Sequence, residues 1–425
     1  MSSDPTGLVV ADRYRLEARL DSGGLSTVWR ATDLDRDRPV ALKRADDAIH
    51  DREQVRRHFD RELRWVRRFA ETPIPGSLVR FVDGSTTDEG GFVVTELIDG
   101  GSLADRLPVG SPGTDAVRSL AAPICRAIAF LHENGVAHLD VKPSNVLLRP
   151  QGTPVVIDLN SAAAIEEGTS TVFHHDPFKP PELSPTDVRD DPAGPWSDVY
   201  ALGVLIWAVL TGTTAADDTV ADDLAVSDNS TADTQAVGDD SSRIVDWTPF
   251  DPWAHGADCS ADLATIVRTA TEPRSADRYD DAIELLSALE PILGRSDRLA
   301  TLTDEDSGVS VSVRSGDAIG RIDSDRASPA VVLPDVERYL SPTHATIEWT
   351  PGGWRYVDRS VNGTYVDIDG EWRYVCAADG IERRRAAGES VPDRSPPEHV
   401  SLENGTRISP VSPEYSPILT FGADR

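Results

Sequence analysis

The sequence predicts a multi-domain chain, an α+β region of two lobes followed by an all-β sandwich, and three changes of texture predict it. Residues 14–100 alternate short β-like runs with one charged helical stretch at 51–70. From 114 the apolar period becomes helical, with Val117, Leu120, Ala121, Ile124, Ile128 and Leu131 on one face. After about residue 299, alternating runs such as "ATIEWT" and "WRYVD" are separated by Pro-Gly-Gly and Asn-Gly turns, the pattern of a sandwich.

With 425 residues there is room for two or three domains, each with its own core. The pattern divides the chain into a tail (1–11), a first region (12–294) with a small lobe at about 12–98 and a larger one at about 99–294, a linker (295–300) and the sandwich (301–425). In the larger lobe Thr114 is expected to cap a helix that Gly135 ends. Residues 213–242 carry eight aspartates and no lysine or arginine, and are expected to be a solvated, disordered insertion. The stretch 370–398, with "RRR" at 383–385, reads as an insertion before the last strands. The longest apolar run, Val199 to Leu210, falls short of the roughly 20 residues that a bilayer span needs. It is expected to be a buried helix.

The formal net charge is -30, from 42 basic and 72 acidic residues. Nucleic acid and anionic membrane would both be repelled, so neither is an expected partner. The acidity is spread along the chain and accompanied by one methionine and three lysines, a composition that resembles proteins of salt-loving (halophilic) organisms. At about 1 M salt a Debye length of about 3 Å screens such a surface. Cys125, Cys259 and Cys376 are far apart and in no metal spacing, which points to a reducing cytoplasm. The start, "MSSDPTGLVV", has neither the basic flank nor the apolar core of a signal peptide.

Moving a phosphoryl group requires positive charge around the phosphates, one or two magnesium ions and a carboxylate to orient the attacking hydroxyl. The first region supplies these in order. "LDSGGLSTVW" (20–29) lies between β-like runs, where its backbone can approach phosphates. "VALK" puts Lys43 on a strand, Glu62 lies on the following helix, "HLDVKPSN" (138–145) brings Asp140, Lys142 and Asn145, and "VVIDLNSA" brings Asp158 after an apolar strand. Each part is common by itself; the ordered set is not.

On these motifs, together with "KPPE" (179–182), "SDVYALGV" (197–204) and Arg278 in "PRSADRYDDA", the region 12–294 resembles the eukaryotic-type Ser/Thr protein kinases. The resemblance implies a two-lobed kinase fold using ATP and Mg2+. It implies that Asp140 orients the substrate hydroxyl, that Lys142 contacts the γ-phosphate, and that Lys43 reaches the α- and β-phosphates while paired with Glu62. Asn145 and Asp158 would hold magnesium. Adenine would sit between Leu20, Val28 and Ala41 above and Leu147 below, bonded to the backbone of Glu96 and Ile98, with Thr95 as gatekeeper and Gly23 in the glycine-rich loop. Arg278 would pair with Glu182. Independently of the resemblance, two of the three lysines, Lys43 and Lys142, occupy positions where transfer needs a compact point charge, in a chain that otherwise uses arginine.

Several positions depart from the family pattern. Asp21 and Ser26 stand where glycines are usual. "DLN" (158–160) replaces the usual DFG, and Asn160 is suited to a left-handed backbone. Leu139 replaces an arginine that, in the family, pairs with a phosphate on the activation segment. Leucine cannot make that contact, so activity without loop phosphorylation is expected. The alternative is a pseudokinase scaffold; a kinase for small molecules is disfavoured by "KPPE".

In the β-rich tail, "AIGRI" (318–322), "SPTH" (341–344) and "DRSVNGTYV" (358–366) resemble the forkhead-associated (FHA) domain, a phosphothreonine-binding sandwich. The resemblance implies that Arg321 and Ser341, assisted by Thr343, bind phosphate, that Asn362 holds the peptide backbone, and that His344 and Gly363 shape the loops. The expected partners are protein substrates and phosphothreonine peptides. Candidate docking sites within the chain are Thr214 and Thr219, each with aspartate three residues later, and Thr169 and Thr171. His174 and His175 lack a third metal ligand.

Overall fold

The computed structural model describes residues 5–22, 26–46, 52–87, 90–107, 112–165, 177–183, 192–213, 249–294, 298–323, 328–335, 339–392, 394–414 and 417–423. The chain forms two compact units: Met1–Gly101 with Val146–Ala162 and Arg295–Arg425, and Ser102–Asn145 with Ala163–Gly294. The acidic stretch from 214, with Thr214 and Thr219, lies outside the described residues, as do Gly23, Thr169, Thr171, His174 and His175.

The first unit opens with an antiparallel sheet of β1 (Val9–Val10), β2 (Tyr14–Ser22), β3 (Ser26–Asp33), β4 (Arg38–Ala45), β6 (Phe81–Thr87) and β7 (Gly90–Glu96), in the order β1-β2-β3-β4-β7-β6. Strand β5 (Ile74–Pro75) belongs to a different sheet. Period-two alternation turns Tyr14, Leu16, Trp29, Ala31, Val40, Leu42 and Val94 into one buried cluster. Helix α1 (Arg52–Arg68) buries Val55, Phe59, Leu63 and Val66, three or four residues apart, and exposes arginines. Gly91 lets it approach the sheet, because a Cβ there would lie 2.6 Å from Cγ of Phe59. The Trp65 indole donates to the Ala162 carbonyl (3.1 Å), tying α1 to the segment after Asp158.

The same unit contains the sandwich of two six-stranded sheets. One follows the order Ser310–Arg314, Leu299–Asp304, Leu419–Ala423, Arg407–Pro410, Thr364–Ile368, Glu371–Val375. The other runs His399–Leu402, Gly353–Asp358, Ala345–Thr350, Asp317–Gly320, Val331–Val332, and ends on β5. Within the stretch expected as an insertion lie the strand Glu371–Val375 and a helix, Ala378–Ala386. The edge of the second sheet is thus completed by the segment that follows α1: Val331 pairs with Pro75 and Val332 with Ile74, antiparallel. Gly76 N–H donates to Ala330 O (3.0 Å), and the Arg80 guanidinium donates to Val332 O (3.0 Å). The other side of this segment meets Val156, whose carbonyl accepts from Val79 N–H (3.0 Å).

The second unit is mainly helical. Helical backbone runs from Thr114 to Glu133, widening into a π-turn at Val117–Ala121, and Gly135 follows at φ 75°. The cap expected of Thr114 does not form: Gly113 occupies the capping position without a side-chain bond, and Thr114 is the first helical residue. The helix Pro195–Thr211 is buried along Val199–Leu210, and Gly212 ends it at φ 69°. Gly203 permits the crossing with Ala261–Ala270, since a Cβ there would meet Cβ of Ala270 at 2.8 Å. Among the described residues no helix is long and apolar enough to cross a membrane.

Candidate active site

In the first unit the register of β3, β4 and β7 sets Lys43 between Val28 and Val93, and Ala41 beside Thr95. The Lys43 ammonium lies 3.1 Å from Glu62 Oε2 and 3.4 Å from Asp158 Oδ2. Burial alone would lower the lysine pKa, but the two carboxylates outweigh it and the net shift is upward. Glu62 is pushed up to about 6 by burial, with Lys43 opposing and the charge of Asp158 adding to it. The "DLN" turn is held by Asn160 N–H donating to Asp158 Oδ1 (3.0 Å). The left-handed residue is Asp158, at φ 65°, rather than Asn160. That orientation brings the Asp158 carboxylate to Lys43.

Of the residues expected around adenine, Val28, Ala41, Thr95 and Leu147 are half-buried, Ile98 is buried and Leu20 is exposed, all in this unit. The Thr95 hydroxyl donates to Glu96 O (3.2 Å). The Glu96 carboxylate accepts both guanidinium nitrogens of Arg149 (2.8 and 3.0 Å) and the backbone N–H of Arg80 (3.0 Å). Arg149 carries no family signature and is not singled out by the sequence, yet it immobilises Glu96.

In the second unit, "HLDVKPSN" is organised by Asp198, fully buried in the first turn of Pro195–Thr211. Its carboxylate accepts the backbone N–H groups of His138 and Leu139 (2.7 Å each) and Nε2–H of His132 (2.9 Å). Ala282 N–H donates to His132 Nδ1 (3.0 Å), which fixes the tautomer with its proton on Nε2. Under this clamp Leu139 takes φ 62°, an unusual conformation for a bulky residue. Its side chain is 4% exposed and packs with Ala137, Leu183 and Ala193, with Ala163 and Ile165 alongside. The position is an apolar plug.

Asp140 follows. Its Oδ2 is 2.8 Å from Asn145 Nδ2 and 3.1 Å from Lys142 Nζ, and its Oδ1 is 2.6 Å from Lys179 Nζ. Burial would raise its pKa, but Lys179, with Lys142 and His138, brings it down to about 2. At neutral pH the group is a fully ionised hydrogen-bond acceptor. Lys179, read from the sequence only as part of "KPPE", thus stands at Asp140. The chain's three lysines all sit in these two ion-pair clusters. Glu182 is fastened by Arg278 (2.8 and 3.0 Å) and by the Ser197 hydroxyl (2.8 Å).

In the sandwich, the loops around 321, 341 and 362 meet. The Arg321 guanidinium donates to Leu340 O (2.9 Å) and Ile322 O (3.0 Å) and lies 3.3 Å from Asp323. Ser341 Oγ accepts from Val361 N–H (3.2 Å), and Asn362 Nδ2 donates to Tyr339 O (2.7 Å). Thr343 is exposed. His344 is fully buried; burial lowers its pKa to about 4, so it is neutral, accepting from Ser341 N–H and bonding Gly363 O. Gly320 and Gly363 are required by packing: a Cβ would lie 2.3 Å from Pro342 O and 2.5 Å from the Tyr374 ring, respectively.

Comparison with known proteins finds two families along the chain. Residues 14–280 match the protein kinase domain and residues 318–370 the FHA domain. The chain is 34% identical over 293 residues to serine/threonine-protein kinase PknL of Mycobacterium tuberculosis, covering 68% of each chain. It is 31% identical over 288 residues to serine/threonine-protein kinase PknB of Mycobacterium tuberculosis, covering 66% of this chain and 43% of that one. With its kinase match spanning more than half its length and an FHA domain following it, the chain belongs to the protein kinase family.

Proposed function

We propose that the protein transfers the γ-phosphate of ATP to serine or threonine hydroxyls of proteins, and that its FHA domain binds phosphothreonine for substrate docking or self-association. The observation that carries the first part is the pair of ion clusters. Lys43 is held by Glu62 and Asp158, and Asp140 is kept ionised by Lys179 and Lys142 and hydrogen-bonded by Asn145. Phosphoryl transfer depends on positioning and charge more than on strong bases, and an Asp140 with a pKa of about 2 suits orientation of a hydroxyl rather than early proton removal. An inert scaffold would have no use for charges paired in this way.

Asn145 and Asp158 are the residues we assign to magnesium, which would neutralise phosphate charge. Their donors fit the ion. Asp158 keeps a partly exposed carboxylate, and Asn145 spends its amide nitrogen on Asp140, leaving a hard oxygen. Leu20, Gly23, Val28, Ala41, Thr95, Glu96, Ile98 and Leu147 are assigned to the nucleotide; Arg321, Ser341, Thr343 and Asn362 to the phosphopeptide. The kinase domain is assigned to 12–294 and the FHA domain to 301–425. We further propose a cytoplasmic setting at high salt.

The test is incorporation of labelled phosphate at high salt by the parent, Asp140→Asn and Asp158→Ala. Loss in both variants is expected; equal labelling in all three rejects the enzyme. For the FHA domain, a synthetic phosphothreonine peptide should bind the parent and neither its unphosphorylated twin nor Arg321→Ala.

A further inference from the structure

Among the described residues, the ammonium of Lys179 is the closest charge to Asp140. It lies 2.6 Å from Asp140 Oδ1 and 2.7 Å from Leu139 O, with the side chain 9% exposed. A buried ammonium is costly unless its protons find acceptors, and here acceptors come from two consecutive residues of the loop that carries the transfer chemistry. Both Asp140 oxygens are therefore held, Oδ1 by Lys179 and Oδ2 by Lys142 and Asn145, so the carboxylate has no freedom to rotate. Three residues beyond Lys179, Glu182 is pinned by Arg278 and Ser197, and Leu183 packs in the cluster that buries Leu139. The segment 179–183 is fastened to the loop by a charge pair and an apolar contact. Neither involves a phosphate.

We propose that Lys179 is a positioning residue for phosphoryl transfer: its ammonium clamps the end of the activation segment onto the catalytic loop and fixes the Asp140 carboxylate for the incoming hydroxyl, in place of a phosphate-dependent tie. The arginine that would need a phosphate partner is replaced by Leu139, and the neighbouring lysine supplies the tie permanently. This inference rests on the kinase reading above.

The experiment uses the full chain after phosphatase treatment, with ATP, magnesium and casein as probe substrate, in the parent, Lys179→Met, Lys179→Gln and Lys179→Arg. The treated parent is expected to remain active. Misplacing a reacting group by about 1 Å costs about 100-fold in rate, so kcat should fall by that order in Lys179→Met and Lys179→Gln. KM for ATP should stay within about twofold, because Lys43 and its partners are untouched, and Lys179→Arg should recover part of kcat. Backbone amide exchange at 138–140 and 178–183 should accelerate in the Met and Gln variants. A parent that loses activity on phosphatase treatment overturns the proposal, as does an unchanged kcat in a folded Lys179→Gln. An inactive parent would instead reject the kinase reading, and unchanged exchange in the variants would still refute the clamp.

Discussion

Glu62 sets the pH response we expect at the scale of single residues. Its folded pKa of about 6 lies above its ordinary 4.5, so folding favours the protonated form. The stability this group contributes is complete below pH 4.5 and is lost as pH rises through about 6, whereas its ion pair with Lys43 exists only on the alkaline side of that window. Nucleotide affinity and transfer rate should therefore fall as pH drops through about 6, while Asp140, ionised down to about 2, adds nothing there. In Glu62→Gln the acidic limb should vanish at a lower plateau; a limb kept at the same pH would assign it to another group. Leu139 makes a second case. Replacing it by arginine sets a guanidinium in an apolar cluster, an expected loss of about 3–5 kcal/mol, measured by urea unfolding. An unaltered midpoint would mean that the cluster opens to water. The conversion of Leu139 from a missing phosphate ligand into a plug was not legible in the sequence, because its neighbours Leu183 and Ala193 are more than 40 positions away.

Elements matter here through what their ends hold. The helix Pro195–Thr211 was legible as a run of apolar residues, and burial of Val199–Leu210 follows from that run. Its functional end is less visible. Asp198 favours the positive end of the helix dipole and takes three hydrogen bonds from His132, His138 and Leu139. Asp198→Asn turns one acceptor oxygen toward those donors into a donor itself. We expect about 3 kcal/mol of lost stability, together with loss of labelled-phosphate transfer, since Asp140 adjoins the released backbone. Wild-type stability and activity in Asp198→Asn would remove the clamp from the account. Conversely, Thr114 was a reasonable cap by residue type, but Gly113 occupies that position at φ 130°, a backbone angle that favours glycine, and Thr114 is already helical. Boundaries of this kind depend on how the preceding chain arrives.

For the whole molecule, two features stand out: charge and the shared sheet. The sandwich does not close its second sheet with its own strand but with β5, the short strand after the helix that carries Glu62. Such backbone pairing is strand addition within one chain. Gly76 is its weak point, since a Cβ there would lie 2.2 Å from Pro329 O. Gly76→Ala is expected to accelerate amide exchange across residues 74–79, measured on the full chain; exchange equal to the parent would show that the strand tolerates the methyl group. The net charge of -30 belongs to the same scale. Screening of mutual repulsion should raise the unfolding midpoint as salt increases toward about 1 M, where the Debye length is about 3 Å. A midpoint independent of salt would remove the halophilic reading of the composition.

Local pattern was sufficient for an α+β region followed by a β-sandwich and for the residues able to carry charge, because periodicity and turn residues are properties of neighbouring positions; the kinase and FHA families came from the resemblance of their motifs. The partners of those charges were decided only by tertiary structure. That Lys179 reaches Asp140, that Asp198 holds the backbone of Leu139, that Asp158 rather than Asn160 takes the left-handed turn, and that β5 belongs to the sandwich all arise from segments far apart in sequence. Hydrogen bonds and ion pairs act over about 3 Å, so their partners become known only where the folded backbone brings them together.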